Sequence, residues 1–370
     1  MLPHITRSFI PLVPLFLSPS ITSVSLAFAY DPSEAADFAP VIKTLPTLCP
    51  NLRKIKLSQL PRDPMITAAV SEIPLVANRN ILQQFHVGSP LTEEASEVVY
   101  KLPNLRDLWV NVNGSGSLPT FVLPNLTTIV IEYNGGHGWL QGFHGATLGK
   151  LTSITFLTGS SEIGDFLEAF KSVALTTSIT ETLSEFVFYT MQPWRPNCRS
   201  LLPFTQLKEL TLQFSCGDGC SSTIDDSIIT DLAQAMPKLE ILRLGARPCQ
   251  TPAGVTIKGL TALAHHCLRL SQLCIHFQIT SLDLPVIPQV APAVESTTPQ
   301  EYCALMDLEV GNIPISEESA SMVALALLRI FPRLHFIRCD RLRWMKVMGA
   351  IRVSKKLANR SSKSHPFSTL

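Results

Sequence analysis

The nine residues LPNLRDLWV at positions 102–110 decide the fold, because their pattern of leucines recurs along the chain. Residues 236–244 read MPKLEILRL and keep the proline and the spacing of the apolar positions. The shared pattern L-x-x-L-x-L, with other apolar residues allowed, occurs twelve times at intervals of 21 to 35 residues. Such a period predicts stacked repeats that each contribute one strand. The motifs begin at Ile21, Leu52, Leu82, Leu105, Leu126, Leu151, Leu183, Leu207, Leu239, Leu270, Leu305 and Leu334.

The segments between the motifs predict one helix or turn in each repeat. Proline often stands two positions before a motif, where it ends a helix and favours an extended chain. Asp225 or Asp226 is the expected cap of the helix that ends at Met236. Helical patterns cover residues 34–45, 93–102, 164–174, 226–236, 256–267 and 317–331. The expected fold is an α/β leucine-rich-repeat solenoid of about 12 irregular repeats, with a curved parallel β-sheet on the concave side and helices and turns on the convex side.

The boundaries of this solenoid follow from where the pattern holds. It is expected to span residues 1–345, with residues 281–300, which are rich in proline and have no period, as an inserted loop. Residues 346–370 are basic and are expected to form a disordered tail. The asparagine expected eight positions after the first leucine occurs only as Asn113 and Asn134, so the curvature is expected to be irregular.

Composition narrows the function class. The 370 residues include 30 basic and 29 acidic ones, and this balance lacks the basic footprint of a nucleic-acid-binding protein. No apolar run approaches the 18 residues of a spanning helix, so no membrane partner is expected. Nine scattered cysteines indicate free thiols and an intracellular protein, cytoplasmic or nuclear. A signal peptide over residues 9–29 is an alternative that Pro11 and Pro14 weaken.

Three motifs carry a family resemblance. Cys49-Pro50-Asn51-Leu52, Leu102-Pro103-Asn104-Leu105 and Met236-Pro237-Lys238-Leu239 resemble the repeats of fungal F-box/leucine-rich-repeat proteins. The motifs that follow Cys49 and Cys267 are similar to the cysteine-containing repeat subtype of that family. The resemblance covers about residues 15–345.

The resemblance implies a protein–protein interaction module, the substrate-recognition part of an F-box-type (SCF) ubiquitin ligase subunit. Its partner would be an unknown protein substrate, and ubiquitin transfer would belong to other subunits. Family members begin with a helical F-box, and no such pattern precedes Ile21, so the ligase adaptor is expected as a partner only if an F-box lies upstream. A repeat-only scaffold or regulator is the alternative, and an extracellular recognition protein is a third, which nine free thiols would exclude.

Strand alternation predicts the binding residues. The motif leucines point into the core, so the residues between them face outward. Arginine and aromatic side chains are common anchors of interfaces, although any solvated sheet face is polar. The candidate partner-binding residues are Lys54, Lys56, His86, Asp107, Trp109, Tyr189, Glu209, Arg243, His276, Asp307, Glu309, Phe336 and Arg338.

Patterns that could carry catalysis are weak. His265 and His266 beside Cys267 point in different directions on a helix, and Cys216 and Cys220 lack a second ligand pair. The glycine-rich residues 135–138 lack the context of a phosphate-binding loop. No nucleophile, base and orienting group come together in the sequence. The chain is therefore expected not to be an enzyme and to need no metal or cofactor.

Overall fold

The computed structural model describes residues 4–5, 7–28, 35–113, 119–135, 137–160, 163–215, 224–245, 254–278, 302–310, 315, 319–339 and 342–361. Two compact units divide the chain, Met1–Met191 and Gln192–Leu370. Each unit is an open stack of parallel strands connected by helices or turns, so the α/β solenoid expected from the repeats is confirmed.

In the first unit, each strand pairs in parallel with the next one along the chain. The strands are β1 (His4–Ile5), β2 (Ser23–Phe28), β3 (Lys54–Ser58), β4 (Gln84–Pro90), β5 (Asp107–Asn113), β6 (Thr128–Asn134), β7 (Ser153–Thr158) and β8 (Glu185–Pro193). The helices are α1 (Ala35–Leu48), α2 (Pro64–Val76), α3 (Glu93–Val99), α4 (Phe166–Ala174) and α5 (Ile179–Thr182), with 3-10 helices at Arg7–Phe16 and His137–Phe143.

The second unit repeats the arrangement with a 3-10 helix at Cys198–Leu201. Its parallel strands are β9 (Glu209–Ser215), β10 (Ile241–Gly245), β11 (Gln272–Ile275), β12 (Asp307–Val310) and β13 (Phe336–Arg338). Its helices are α6 (Asp226–Ala235), α7 (Ile257–His266), α8 (Ala320–Ile330) and α9 (Leu342–Ser361). All twelve predicted motifs therefore fall on β2 to β13, and β1 is an additional short strand.

The motif leucines form the core of each unit. Leu105, Leu108 and Val110 are at most 1% exposed, and the equivalent Leu239, Leu242 and Leu244 at most 3%. Burying a side chain of this size contributes about 1.5–3 kcal/mol. The pattern that defines the repeat is thus the pattern that holds neighbouring repeats together.

Asparagines connect repeats in the first unit, at a position other than the expected one. The residue just before the first leucine of the motif donates its side-chain amide to a backbone carbonyl of the preceding repeat. Asn51 donates to Pro19 at 2.9 Å, Asn104 to Asn80 at 2.7 Å and Asn125 to Pro103 at 2.9 Å. The first unit therefore has an asparagine ladder, and it lies at the position just before the first leucine of the motif.

A carboxylate connects two repeats of the second unit at another place, the starts of α6 and α7. Asp225 caps α6 by accepting from the Ile228 amide at 2.9 Å, as predicted. Asp226 instead turns to α7, where it accepts from the Thr256 amide at 2.7 Å, the Thr256 hydroxyl at 2.7 Å and the Gly259 amide at 2.9 Å. A Cβ on Gly259 would lie 2.6 Å from Asp226 Oδ1, so this contact needs glycine.

The expected disordered tail is wrong for residues 346–361, which belong to α9. Trp344, Val347 and Ile351 have helical spacing and are at most 1% exposed. The Ile337 amide of β13, the last strand of the sheet, donates to Met348 Sδ at 3.0 Å, so α9 covers that strand. Residues 362–370 and the predicted loop 281–300 lie outside the described residues.

Helix α2 was not among the predicted helices, because prolines at 61, 64 and 74 obscure its period. Pro64 occupies the first turn, where a missing amide costs little, and Asp63 caps the helix by accepting from the Met65 amide at 2.7 Å. The segment with an apparent signal-peptide pattern forms the 3-10 helix Arg7–Phe16 and strand β2.

Candidate partner-binding site

The first strand face consists of the outward side chains of β3, β4, β5 and β6. Lys54, Gln84 and Asp107 form one row of this face, because the strand register places them opposite one another. The Gln84 amide donates to Asp107 Oδ2. Lys54 is exposed to solvent at one end of the row. The Asp107 carboxylate, on the other side of Gln84, accepts the hydrogen bond from that residue.

Lys56, His86 and Trp109 form the next row. The rings of His86 and Trp109 are half-buried, with centroids 6.3 Å apart. Burial lowers the pKa of His86, Asp107 opposes that shift and Lys56 adds to it. The lowered pKa favours the neutral form of the His86 imidazole, which lies between an exposed cation and an aromatic ring.

A loop crosses the end of this face. Arg62, which follows β3, pairs with Glu132 of β6 at 3.2 Å and so spans β4 and β5. On β5, which this ion pair spans, Trp109 Nε1 and Asn111 Oδ1 are buried without a hydrogen-bond partner among the described residues. Buried groups of this kind cost free energy until water or a ligand satisfies them.

The chain is irregular at the same place. The pairing of β4 with β5 shifts between His86 and Pro90, so β4 contains extra residues opposite β5. Gln59, just after β3, has a φ of 58°, a conformation that costs a residue with a Cβ about 1 kcal/mol or more. Such bulges and strained residues are frequent next to functional sites.

Tyr189 is separate from the other candidates of the first unit. It lies on β8, is 40% exposed and pairs in register with Leu157 of β7. The structure therefore does not bring Tyr189 to the rows of Lys54 and Lys56.

The second strand face consists of the outward side chains of β9 to β13. Arg243 on β10 bridges both neighbouring strands, donating to Glu209 Oε1 at 3.0 Å and to Gln272 Oε1 at 2.7 Å. Arg243 and Glu209 are both partly shielded from solvent. Two partners hold the guanidinium, so its orientation is fixed before any partner protein arrives.

A second ion pair lies on the far side of the same face, where Arg338 of β13 pairs with Asp307 Oδ2 of β12. Asp307 Oδ1 is buried without a hydrogen-bond partner among the described residues. Both arginines line a shallow recess, which contains hydrogen-bond donors and acceptors. Its lining residues are Arg243, Gln272, Leu273, Cys274, Asp307, Glu309 and Arg338.

His276 and Phe336 stand at the margins of the second strand face. His276 follows β11 and is half-buried, and burial lowers its pKa. Phe336 is 59% exposed on β13. An exposed phenylalanine on a strand face that also carries two paired arginines is a composition common at the anchors of interfaces.

The buried thiols are poorly suited to catalysis. Burial raises the pKa of Cys198 and of Cys267 to about 12, and that of Cys303 also rises. These thiols stay protonated at neutral pH, whereas the thiolate is the nucleophile. In the described part of the chain, no three His, Cys, Asp or Glu side chains group around a possible metal position, and no helix could span a membrane.

The structure thus gathers the candidates into two groups. The first contains Lys54, Lys56, His86, Asp107 and Trp109, and the second contains Glu209, Arg243, Asp307, Glu309, Phe336 and Arg338, with His276 at its margin. Strand alternation also places Gln84 and Gln272 on the outward side, although neither is among the partner-binding candidates. Cys274, which alternation could have found, and Arg62, which lies in a loop without a period, were not predicted. His265 and His266 end α7 with ring centroids 4.8 Å apart, and Cys216 and Cys220 lie outside the described residues.

Comparison of the chain with protein-family models returned no match, and neither did comparison with curated protein sequences. The functional assignment therefore depends on the geometry of the two faces and on the resemblance of the repeats.

Proposed function

We propose that the strand faces bind a partner protein, as the substrate-recognition part of an F-box-type ubiquitin ligase subunit. One observation carries the binding proposal. On the second strand face, Arg243 and Arg338 are both paired, Asp307 Oδ1 has no hydrogen-bond partner in the described part of the chain, and Phe336 is exposed. Side chains that are fixed in advance lose less entropy on binding, so the same contacts give higher affinity.

The chemistry of the faces favours a protein as the partner. The second strand face offers guanidinium donors and carboxylate acceptors within one recess. Protein surfaces carry both signs of charge together with amide groups, whereas nucleic acid presents mainly phosphate. Lys54 and Lys56 on the first strand face are exposed and suit an acidic side chain of a protein.

The binding proposal is tested with paired variants of the full chain. Proteins that co-purify with the tagged wild type are compared with those of Arg243→Ala and Phe336→Ala, and affinity is then measured with the purified partner. The control is Arg329→Ala, because Arg329 is exposed on α8 and belongs to neither strand face. We expect each face variant to bind at least about tenfold more weakly, and the control to bind as the wild type does. Equal affinity for all four proteins would reject the second strand face as the site.

The ligase role is supported by the resemblance of the repeats and needs its own test. The 5′ end of the native transcript is sequenced, and the native protein is tested for co-purification with the ligase adaptor. An in-frame F-box and a bound adaptor are the expected results. If the adaptor is absent and partner ubiquitination does not change when the gene is deleted, the repeat-only scaffold or regulator is correct.

A further inference from the structure

Helix α9 carries charge of one sign. Residues 342–361 include six lysines and arginines and no aspartate or glutamate, although the whole chain is nearly neutral. Neither the fold nor the proposed recognition of a partner protein by the strand faces accounts for that concentration of charge.

The two sides of α9 have different roles. Trp344, Val347 and Ile351 are buried, and the helix packs on α8 and β13. Trp344 also contacts Phe277, with ring centroids 6.1 Å apart. One side of the helix therefore holds it on the solenoid and fixes which residues face outward.

The outward side combines apolar and basic residues. Met345, Val353 and Leu357 are 62%, 57% and 57% exposed. These positions recur at intervals of one or two helical turns, so they form a stripe about 18 Å long. Lys346, Arg352 and Lys356 are exposed on the same side. We call these six residues the α9 ridge.

Charge and shape together select a partner for the α9 ridge. A second copy would bring like charges together, and nucleic acid would leave three large apolar side chains without contacts. A rigid protein would need a groove that matches a convex helix. A bilayer adapts to such a ridge, because anionic headgroups attract lysine and arginine and the acyl region accepts apolar side chains.

We propose that the α9 ridge binds the surface of a bilayer that contains anionic phospholipid. The helix lies along the headgroups without spanning the bilayer, and the solenoid remains in water. The contact is peripheral, so it depends on lipid charge and weakens with salt.

Vesicle co-sedimentation of the full chain tests this proposal, with phosphatidylcholine vesicles that contain or lack phosphatidylserine. One triple variant, Lys346→Gln, Arg352→Gln and Lys356→Gln, removes charge, and a second, Met345→Ser, Val353→Ser and Leu357→Ser, removes apolar surface. A matched control, Arg79→Gln, Lys208→Gln and Lys258→Gln, removes three exposed charges elsewhere. All the changed side chains are exposed, and unfolding curves establish that each variant folds.

The wild type and the control are expected to bind the phosphatidylserine vesicles and not the neutral ones. Each basic residue near an anionic surface strengthens binding about fivefold, so the charge variant should lose about a hundredfold. The serine variant should also bind more weakly. Failure of the wild type to prefer phosphatidylserine, or an equal loss in the control, would overturn the proposal. Full binding by the serine variant would overturn the role of the apolar stripe.

Discussion

The contacts between neighbouring repeats include amide hydrogen bonds in the first unit and carboxylate hydrogen bonds in the second. In the first, the neutral amides of Asn51, Asn104 and Asn125 reach a carbonyl of the preceding repeat. In the second, the Asp226 carboxylate accepts three hydrogen bonds at the start of the next helix. The same strand period thus tolerates either kind of contact. Hydrogen bonds to a charged group are stronger, so single side chains should matter more in the second unit.

Replacement of Asp226 should cause the largest loss. Asp226→Ala leaves the Thr256 and Gly259 amides without their acceptor at the start of α7, and we expect the free energy of unfolding to fall by about 2–3 kcal/mol. Asp226→Asn keeps one oxygen acceptor and should lose less. Urea unfolding of both variants measures the difference.

Asp165 of the first unit is the matched control for Asp226. Asp165 stands just before the first residue of α4, and Asp226 is the first residue of α6, so both lie at a helix start. The Asp165 side chain, however, makes no capping hydrogen bond. Asp165→Ala should therefore change the free energy of unfolding by no more than about 0.5 kcal/mol. Equal losses for the two aspartates would mean that the contrast between the units is wrong.

A smaller loss is expected for the asparagine ladder. Asn104→Ala removes one neutral hydrogen bond to Asn80, 2.7 Å long, and should lower the free energy of unfolding by about 1 kcal/mol. Asn104→Asp has nearly the same shape but cannot donate, so it should lose at least as much. If the aspartate variant is as stable as the wild type in urea, the ladder does not stabilise the first unit.

Both units should respond alike to acid. Burial lowers the pKa of His86 in the first unit and of His276 in the second. Below the ordinary histidine pKa of about 6.5, the unfolded chain takes up these protons more readily than the folded chain does. Stability is therefore complete above that pH and falls as the pH drops towards the folded-state pKa values. Urea unfolding between about pH 8 and pH 5 should show the decline, and His86→Gln or His276→Gln should reduce it.

The smallest effects belong to the ion pairs on the strand faces. Arg62 is 65% exposed, so Arg62→Gln should change the free energy of unfolding by no more than about 0.5 kcal/mol. Arg243 is 30% exposed and has two partners, so Arg243→Gln should cost about 1 kcal/mol. Thermal unfolding compares the two. A larger loss of stability for Arg62→Gln would show that the ion pair between Arg62 and Glu132 stabilises the first unit more than its exposure suggests.

Periodic features could be predicted from the sequence, and single contacts could not. The twelve strands follow from apolar spacing, and the rows of Lys56, His86 and Trp109 follow from strand alternation. Arg62 reaches Glu132 across two intervening strands, and no local pattern encodes a contact 70 residues apart. Asp226 has two possible helices to cap, and only the packing of α6 against α7 decides between them.

The α9 helix was missed for a different reason. Its many basic residues give it a low mean hydropathy, as in a solvated tail, and three buried residues are enough to dock it. The helix docks because β13 is the last strand of the sheet and its outer edge has no further strand to pair with among the described residues. The linear pattern of residues 342–361 does not contain this information.

The contact between Ile337 and Met348 has a consequence for self-assembly. A stack of parallel strands has no intrinsic length, and an open terminal strand invites another molecule to continue it. By lying across β13, α9 covers the outer edge of the terminal strand and blocks its pairing with another molecule. Loss of the helix would leave the Ile337 amide open to pairing with a strand of another molecule.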